Sequence, residues 1–304
     1  MDPIVTSRTL STVSLACLLL GIRLSANVGP TLMKDIEYLE PGRKEKMDVY
    51  LPPERFLRPL PAVLLIHGGG WSIGDKADPR EQDIGKTLSA HGYAVFSINY
   101  ALNQRAGDGT LLKTAWPQNL HDCKSALRFL RARAAQFGLD PARIAVMGGS
   151  AGGHLAMLVG ATAHTPALNQ DGLYPEMGNE VACIITFYGR HDVRERPAPF
   201  AGATAEETQA NAAAASPVAY FDAATPPMLI AHGTADTVVP VEVSRSLTKE
   251  LSARGLDYLY IEIADAPHTF DLHPAQMNLE PVVVAFLQQH LGRRTPKLAA
   301  GEPP

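Results

Sequence analysis

Gly148-Gly149-Ser150-Ala151-Gly152 sets a serine between glycines in the pattern G-x-S-x-G. A serine hydroxyl of ordinary acidity is a weak nucleophile. It needs a base, a group that orients the base, and donors for the negative charge that its attack creates. The pentapeptide follows an apolar run at 143–147 with no loop between, and leads straight into AGGHLAMLVGA at 151–161, which reads as a helix. Strand, sharp turn and helix in that order lift the serine over the edge of a sheet. Side chains at Gly148 or Gly152 would meet the backbone packed against such a turn. The free N–H groups at the start of the helix point at any charge developing there. The rival reading is a glycine turn that only packs or that holds a phosphate. A dinucleotide site, however, has its glycines after the first strand and an acid ~20 residues on, and this turn comes late.

A second glycine run, His67-Gly68-Gly69-Gly70-Trp71, ends the apolar stretch 61–66. Three successive glycines leave backbone N–H groups unshielded. Those of Gly68 and Gly69 are expected to converge with that of Ala151 on a tetrahedral oxyanion. His67 opens this loop and is read as its support, not as a base. Trp71 is expected to wall the substrate pocket, with core packing as its alternative.

A strand–serine–helix turn of this kind takes its acid and then its histidine later in the chain. Asp236, in HGTAD after an apolar run, and His268, in DAPHTF after the next, fit that order. Both follow candidate strands, at the sheet edge where open α/β folds place their sites. Asp265 lies closer to His268 in sequence. An acid that must reach the ring nitrogen facing away from Ser150 is better placed on the neighbouring strand end, which favours Asp236. Of the ten histidines, His91, His121, His164, His191, His273 and His290 fall away from these ends, and His232 reads as a support of the acid loop. His154, one helical turn after Ser150, is expected to line the pocket or to bond a loop.

These residues need a scaffold, and the rest of the chain reads as one. Strands are expected at 35–40, 46–51, 61–66, 93–100, 143–150, 181–189, 226–236 and 256–263. Helices are expected at 81–91, 117–138, 151–161, 240–254 and 279–291. Apolar runs stopped by glycine or proline are the pattern of strands buried on both faces, and their alternation with helices gives a mostly parallel sheet. Residues 163–180 read as a polar loop. Residues 190–225 are too long for a simple connection and read as a small cap or insertion, with a helix at 204–215.

Composition excludes several classes. The chain of 304 residues is 46% hydrophobic, too apolar for disorder and long enough to bury a large core. Its formal net charge is -4 and it has no dense basic cluster, so no nucleic-acid partner is expected. Cys17, Cys123 and Cys183 are odd in number and far apart, and fit neither a disulfide framework nor a zinc site. Residues 10–22 form an apolar stretch too short to span a membrane. It is read as a signal peptide or as a helix packing beside the site. The expected location is the cytoplasm, or secretion or the periplasm if that stretch is a signal peptide.

The motifs together resemble the α/β-hydrolase superfamily, on the side of carboxylesterases related to hormone-sensitive lipase and to bacterial feruloyl-esterase-like and acetyl-esterase-like enzymes. The resemblance runs from about residue 35 to 291 and rests on HGGGW at 67–71, GGSAGGH at 148–154, PPMLIAHGTADTVVP at 226–240 and PHTF at 267–270. It also covers Asp122, usually a structural carboxylate. One departure is Tyr100-Ala101, where the family often has Tyr-Arg.

The expected fold is therefore an α/β-hydrolase fold, with an eight-stranded, mostly parallel sheet, helices on both faces and a small cap. The expected organisation is an N-terminal apolar segment 1–34, a catalytic domain 35–291 with the insertion at 190–225, and a disordered tail 292–304. The expected activity is hydrolysis of short-chain or aryl esters by Ser150, His268 and Asp236 through an acyl-enzyme, with neither metal nor cofactor. The alternatives are a feruloyl or acetyl-xylan esterase, an arylformamidase-type amidase, and a non-catalytic ligand-binding hydrolase fold. The expected partner is a small-molecule ester, with no stable membrane span and a homodimer left open.

Overall fold

The computed structural model describes residues 29–169 and 172–292. In chain order the elements begin with β1 (Thr31–Ile36), β2 (Met47–Leu51), β3 (Leu60–Ile66), α1 (Pro79–Ala90) and β4 (Ala94–Ile98). A small ribbon, β5 (Gln104–Arg105) and β6 (Leu111–Lys113), precedes α2 (Gln118–Ala132) and α3 (Ala134–Phe137). The central turn joins β7 (Leu139–Gly149) to α4 (Ala151–Ala161). The remainder is β8 (Cys183–Phe187), α5 (Ala205–Ala214), β9 (Met228–Gly233), α6 (Glu242–Ala253), β10 (Tyr258–Ile263) and α7 (Glu280–Leu291).

Eight strands form one sheet in the order β1-β2-β4-β3-β7-β8-β9-β10. The pairs from β4 to β10 are parallel, while β1–β2 and β2–β4 are antiparallel. Alternation along each strand divides the core. On β3, Leu64 and Ile66 face a cluster with Leu127 of α2, Leu155 of α4 and Leu247 of α6. Val63 and Leu65 face the opposite cluster, with Ile84 and Leu88 of α1 and Val283 and Leu287 of α7. The central strands are buried on both faces, which is why they read as continuous apolar runs.

The first strand departs from the expectation. It spans Thr31–Ile36, pairing Thr31 with Leu51 and Ile36 with Met47, instead of 35–40. Asp35 takes φ 56° and donates its N–H to Asp48 Oδ1 (3.0 Å), where the register shifts between the Met33 and Ile36 pairs. Tyr38 and Leu39 then turn into the core, and the Tyr38 hydroxyl bonds the Asn99 carbonyl. Residues 31–34, assigned in sequence to an N-terminal segment, thus belong to the sheet. Residues 1–28, with the apolar stretch, and 293–304, almost all of the tail, lie outside the described residues. Among the described residues no helix is long and apolar enough to cross a membrane. The two cysteines described, Cys123 and Cys183, are buried and free.

The 190–225 segment holds short 3-10 turns at Ala198–Phe200 and Pro217–Tyr220 and the helix α5 between them. Thr204 caps α5 by accepting the Glu207 N–H (3.1 Å).

Candidate active site

Ser150 stands between β7 and α4 with φ 54°, in the left-handed region that costs a side-chain-bearing residue free energy. Close packing holds it there. A Cβ on Gly152 would lie 2.1 Å from the Ile66 carbonyl oxygen, and one on Gly148 would lie 2.3 Å from the Gly152 carbonyl carbon. The Ser150 N–H donates to the Phe187 carbonyl (2.9 Å), tying the turn to β8.

The structure brings Ser150, His268 and Asp236 into one hydrogen-bonded row. The Ser150 hydroxyl lies 3.0 Å from His268 Nε2, and His268 Nδ1–H donates to Asp236 Oδ2 at 2.6 Å. The Asp236 side chain is fully buried, and Oδ1 accepts the N–H groups of Val238 and Val239, both at 2.8 Å. Burial by itself raises the carboxyl's pKa. The hydrogen bonds from His268, Val239 and Val238 outweigh it and hold the group below its ordinary value. The row can deprotonate a hydroxyl while keeping the imidazole in one tautomer. Asp265 is exposed, and its N–H is bonded to Thr234 Oγ1 (2.9 Å), away from the row.

His232 braces the acid loop. Nε2–H donates to the Val239 carbonyl (2.8 Å) and lies 3.2 Å from Asp236 Oδ2, while Nδ1 accepts from the Ser244 hydroxyl (2.6 Å).

Gly68 and Gly69 face Ser150 across a cleft, and Ala151 opens α4. The N–H groups of Gly68 and Gly69 meet no acceptor among the described residues, which leaves them free for an oxyanion. Gly69 has φ 102°, and a Cβ there would lie 2.0 Å from the Ile73 carbonyl oxygen. Tyr100 supports the loop, stacking on His67 at 4.4 Å and donating its hydroxyl to the His67 carbonyl (2.9 Å). Asp122 stands behind it. Arg43 Nη2 bonds Asp122 Oδ2 (2.6 Å), and the same oxygen accepts the N–H of Ala101 (2.8 Å), the position where the resemblance leads one to expect an arginine.

Of the two roles expected for His154, the structure shows the second: it bonds loop groups and does not line either space beside Ser150. It is fully buried, accepts the Trp71 indole N–H on Nδ1 (3.2 Å) and donates from Nε2 to the Ala215 carbonyl (2.7 Å). It pins the glycine loop to the end of α5, in a cluster where Trp71 meets Phe200 at 5.1 Å. Its helix face looks inward under the 190–225 segment, which position in sequence does not reveal. Trp71 is largely buried in this cluster but keeps one edge on a cavity beside Ser150.

Sequence reasoning missed Arg80, Tyr188, Arg190 and Arg196. Arg80 Nε bonds the Tyr188 hydroxyl and the Phe270 carbonyl, each at 2.9 Å, and the Tyr188 ring stands 4.7 Å from that of His268. These groups tie the start of α1 to the histidine loop. Tyr188 and Arg190 directly follow β8 at its site-bearing end, a position that would have marked them; Arg80 carries no such signal.

Ser150 lies where two spaces meet. One is an open cleft of about 910 Å3 that includes His268, Arg80 and Phe270. The other is a smaller cavity of about 220 Å3 that includes Ala151, Trp71, Arg190 and Arg196 but not His268.

Comparison with known proteins bears on the family and the fold. Residues 47–251 match the BD-FAE family. Esterase LipQ of Mycobacterium tuberculosis is 30% identical over 289 residues, which cover 89% of this chain and 66% of that esterase. The chain spans 57% and 56% of the lengths of two other mycobacterial relatives. Among solved structures, a truncated carbohydrate esterase from gut microbiota superposes with a TM-score of 0.73 at 24% identity, covering 87% of this chain and 98% of that one. The butyrate-bound esterase Est2 of Thermogutta terrifontis gives 0.69 at 24% identity, covering 88% and 96%. At that identity the two structures bear on the fold alone.

Proposed function

Because this chain belongs to the BD-FAE family of the α/β-hydrolase superfamily, we propose that it is a serine carboxylesterase acting on short-chain or aryl esters. The observation that carries this reading is the unbroken row from Ser150 through His268 to Asp236, with Ser150 raised on a left-handed turn. Ser150 Oγ attacks the ester carbonyl while His268 Nε2 takes its proton. The N–H groups of Gly68, Gly69 and Ala151 receive the oxyanion, and Asp236 stabilises the imidazolium. His268 then protonates the leaving alcohol. It next activates a water that releases the acid and restores Ser150.

A leaving group that takes its proton from His268 lies on the His268 side of Ser150, so the open cleft receives the alcohol and the smaller cavity the acyl chain. The cavity's size supports short acyl groups. The cleft's size supports a bulky alcohol, which favours deacylation of a carbohydrate as a second reading within the same chemistry.

The test is labelling with a fluorophosphonate, alongside turnover of p-nitrophenyl acetate, butyrate and palmitate and of an acetylated xylo-oligosaccharide. We expect an adduct on Ser150, turnover that falls steeply by palmitate, and loss of turnover to near background in a folded Ser150→Ala variant. Subtilisin sets the scale, losing ~10⁶-fold in kcat with its serine. No adduct on folded protein, or Ser150→Ala activity within tenfold of wild type, would overturn the reading.

A further inference from the structure

Arg190 and Arg196 both border the small cavity beside Ser150. Neither has a carboxylate partner among the described residues, whereas their neighbour Arg194 is paired with Asp192. The carboxylate whose charge acts on Arg190 is Asp236, and its oxygens are already occupied by His268, Val238, Val239 and His232. Burial, reinforced by the like charge of Arg196, holds the Arg190 guanidinium below its ordinary pKa. Trp71, Pro199, Val238 and Val239 supply apolar wall. A cavity that begins at a nucleophile, continues along apolar wall and is bordered by two unneutralised guanidiniums is complementary to a short chain ending in a carboxylate.

We propose that this cavity selects an acyl group carrying a terminal carboxylate, so that the preferred substrates are hemiesters of short dicarboxylic acids. This rests on the esterase reading and on the acyl side being the one without His268. Ser150 Oγ bonds the carbonyl carbon as the C–O bond to the alcohol breaks, and the Ser150 proton passes through His268 to the departing alcohol. Water then cleaves the acyl-enzyme, giving the free dicarboxylic acid and regenerated Ser150. Throughout, the distal carboxylate stays on Arg190 and Arg196.

The experiment measures kcat/KM for two matched pairs, each corrected by a Ser150→Ala blank. Phenyl hydrogen glutarate against phenyl valerate places the charge on the acyl side; 4-(butyryloxy)benzoate against phenyl butyrate places it on the alcohol side. We expect wild type to prefer the glutarate. The glutarate-to-valerate ratio should fall by about 10- to 100-fold in Arg190→Gln and in Arg196→Gln, the scale of a lost charge-assisted hydrogen bond. The benzoate-to-butyrate ratio should not follow. A glutarate-to-valerate ratio near one in wild type, or one untouched by both substitutions, would overturn the proposal. An arginine-dependent preference on the alcohol side would overturn the acyl placement. Absence of turnover on all four esters would instead fail the esterase reading. Calorimetric titration of monomethyl glutarate into wild type and Arg190→Gln then decides the pocket: arginine-dependent binding keeps it, and no binding ends it.

Discussion

Two histidines, His268 and His154, are each bonded through both ring nitrogens, and they do different work. His268 joins a serine to an aspartate, and its side chain keeps 14% of its surface exposed at the edge of the large cleft. His154 joins an indole to a carbonyl and is sealed between Trp71, Phe200 and the end of α5. Burial pushes the His154 pKa down to about 4, which keeps that ring neutral and fixes its donor and acceptor sides. A histidine that must gain and lose a proton needs an adjacent carboxylate and a solvent edge, and His268 has both. One that must hold two segments together needs only partners and dryness.

The largest effect that would break this contrast lies on the His268 side. Asp236→Asn removes the acceptor that selects the His268 tautomer, and kcat on a short ester should fall by ~10⁴-fold with the fold retained. A loss below tenfold would mean that His268 is held no more purposefully than His154. The same substitution sharpens the contrast through acid stability. Because the Asp236 carboxyl is depressed in the folded protein, its ionised form stabilises the fold above the unfolded-state pKa, and that share is lost as pH falls through the folded value. The stability difference between wild type and Asp236→Asn, read from urea midpoints, should therefore shift against wild type as the pH is lowered from about 5.

Next is the structural histidine. His154→Leu leaves the Trp71 N–H and the Ala215 carbonyl without partners and should cost about 3 kcal/mol in urea unfolding at pH 8. Its pH dependence has a definite sign. The folded pKa lies below the ordinary 6.5, so between 6.5 and about 4 the unfolded chain binds the extra proton and wild type loses stability as pH falls. In the variant that share of the loss should be absent. Equal slopes for the two proteins would show that His154 is not sealed, and the contrast would go.

The smallest effect concerns the acid nearest His268 in sequence. Asp265→Asn touches an exposed side chain and should lower kcat/KM less than tenfold, in keeping with a change outside the hydrogen-bonded row. A loss greater than that of Asp236→Asn would reassign the acid.

Much of this was legible before any coordinates. The elbow announces itself because packing a helix directly onto a strand end leaves no room for a Cβ at Gly148 or Gly152, so the constraint is written as glycine. Central strands are legible because burial on both faces demands continuous apolar sequence, and β3, β7, β8 and β9 fall where those runs are. Asp236 was distinguishable from Asp265 because chain order and strand ends define a sheet's edge before its side chains are known. The edge strand β1 was misplaced by four residues, since an edge pays little for polarity and leaves only a weak pattern, and a left-handed Asp35 is invisible in the letters.

What sequence alone determined, then, is whatever a local backbone constraint or a periodic burial requirement imprints on neighbouring residues: the strand order's raw material, the glycine loops and the serine between them. What only the tertiary structure decided is which side chains from distant segments share a space. That covers His154 beneath α5, Arg43 reaching Asp122, Arg80 bracing the histidine loop, and Arg190 with Arg196 beside Ser150. The physical reason is that a polar side chain's role is set by its partners and its dielectric surroundings. Both come from segments tens of residues away, and neither constrains the residues next to it in the chain.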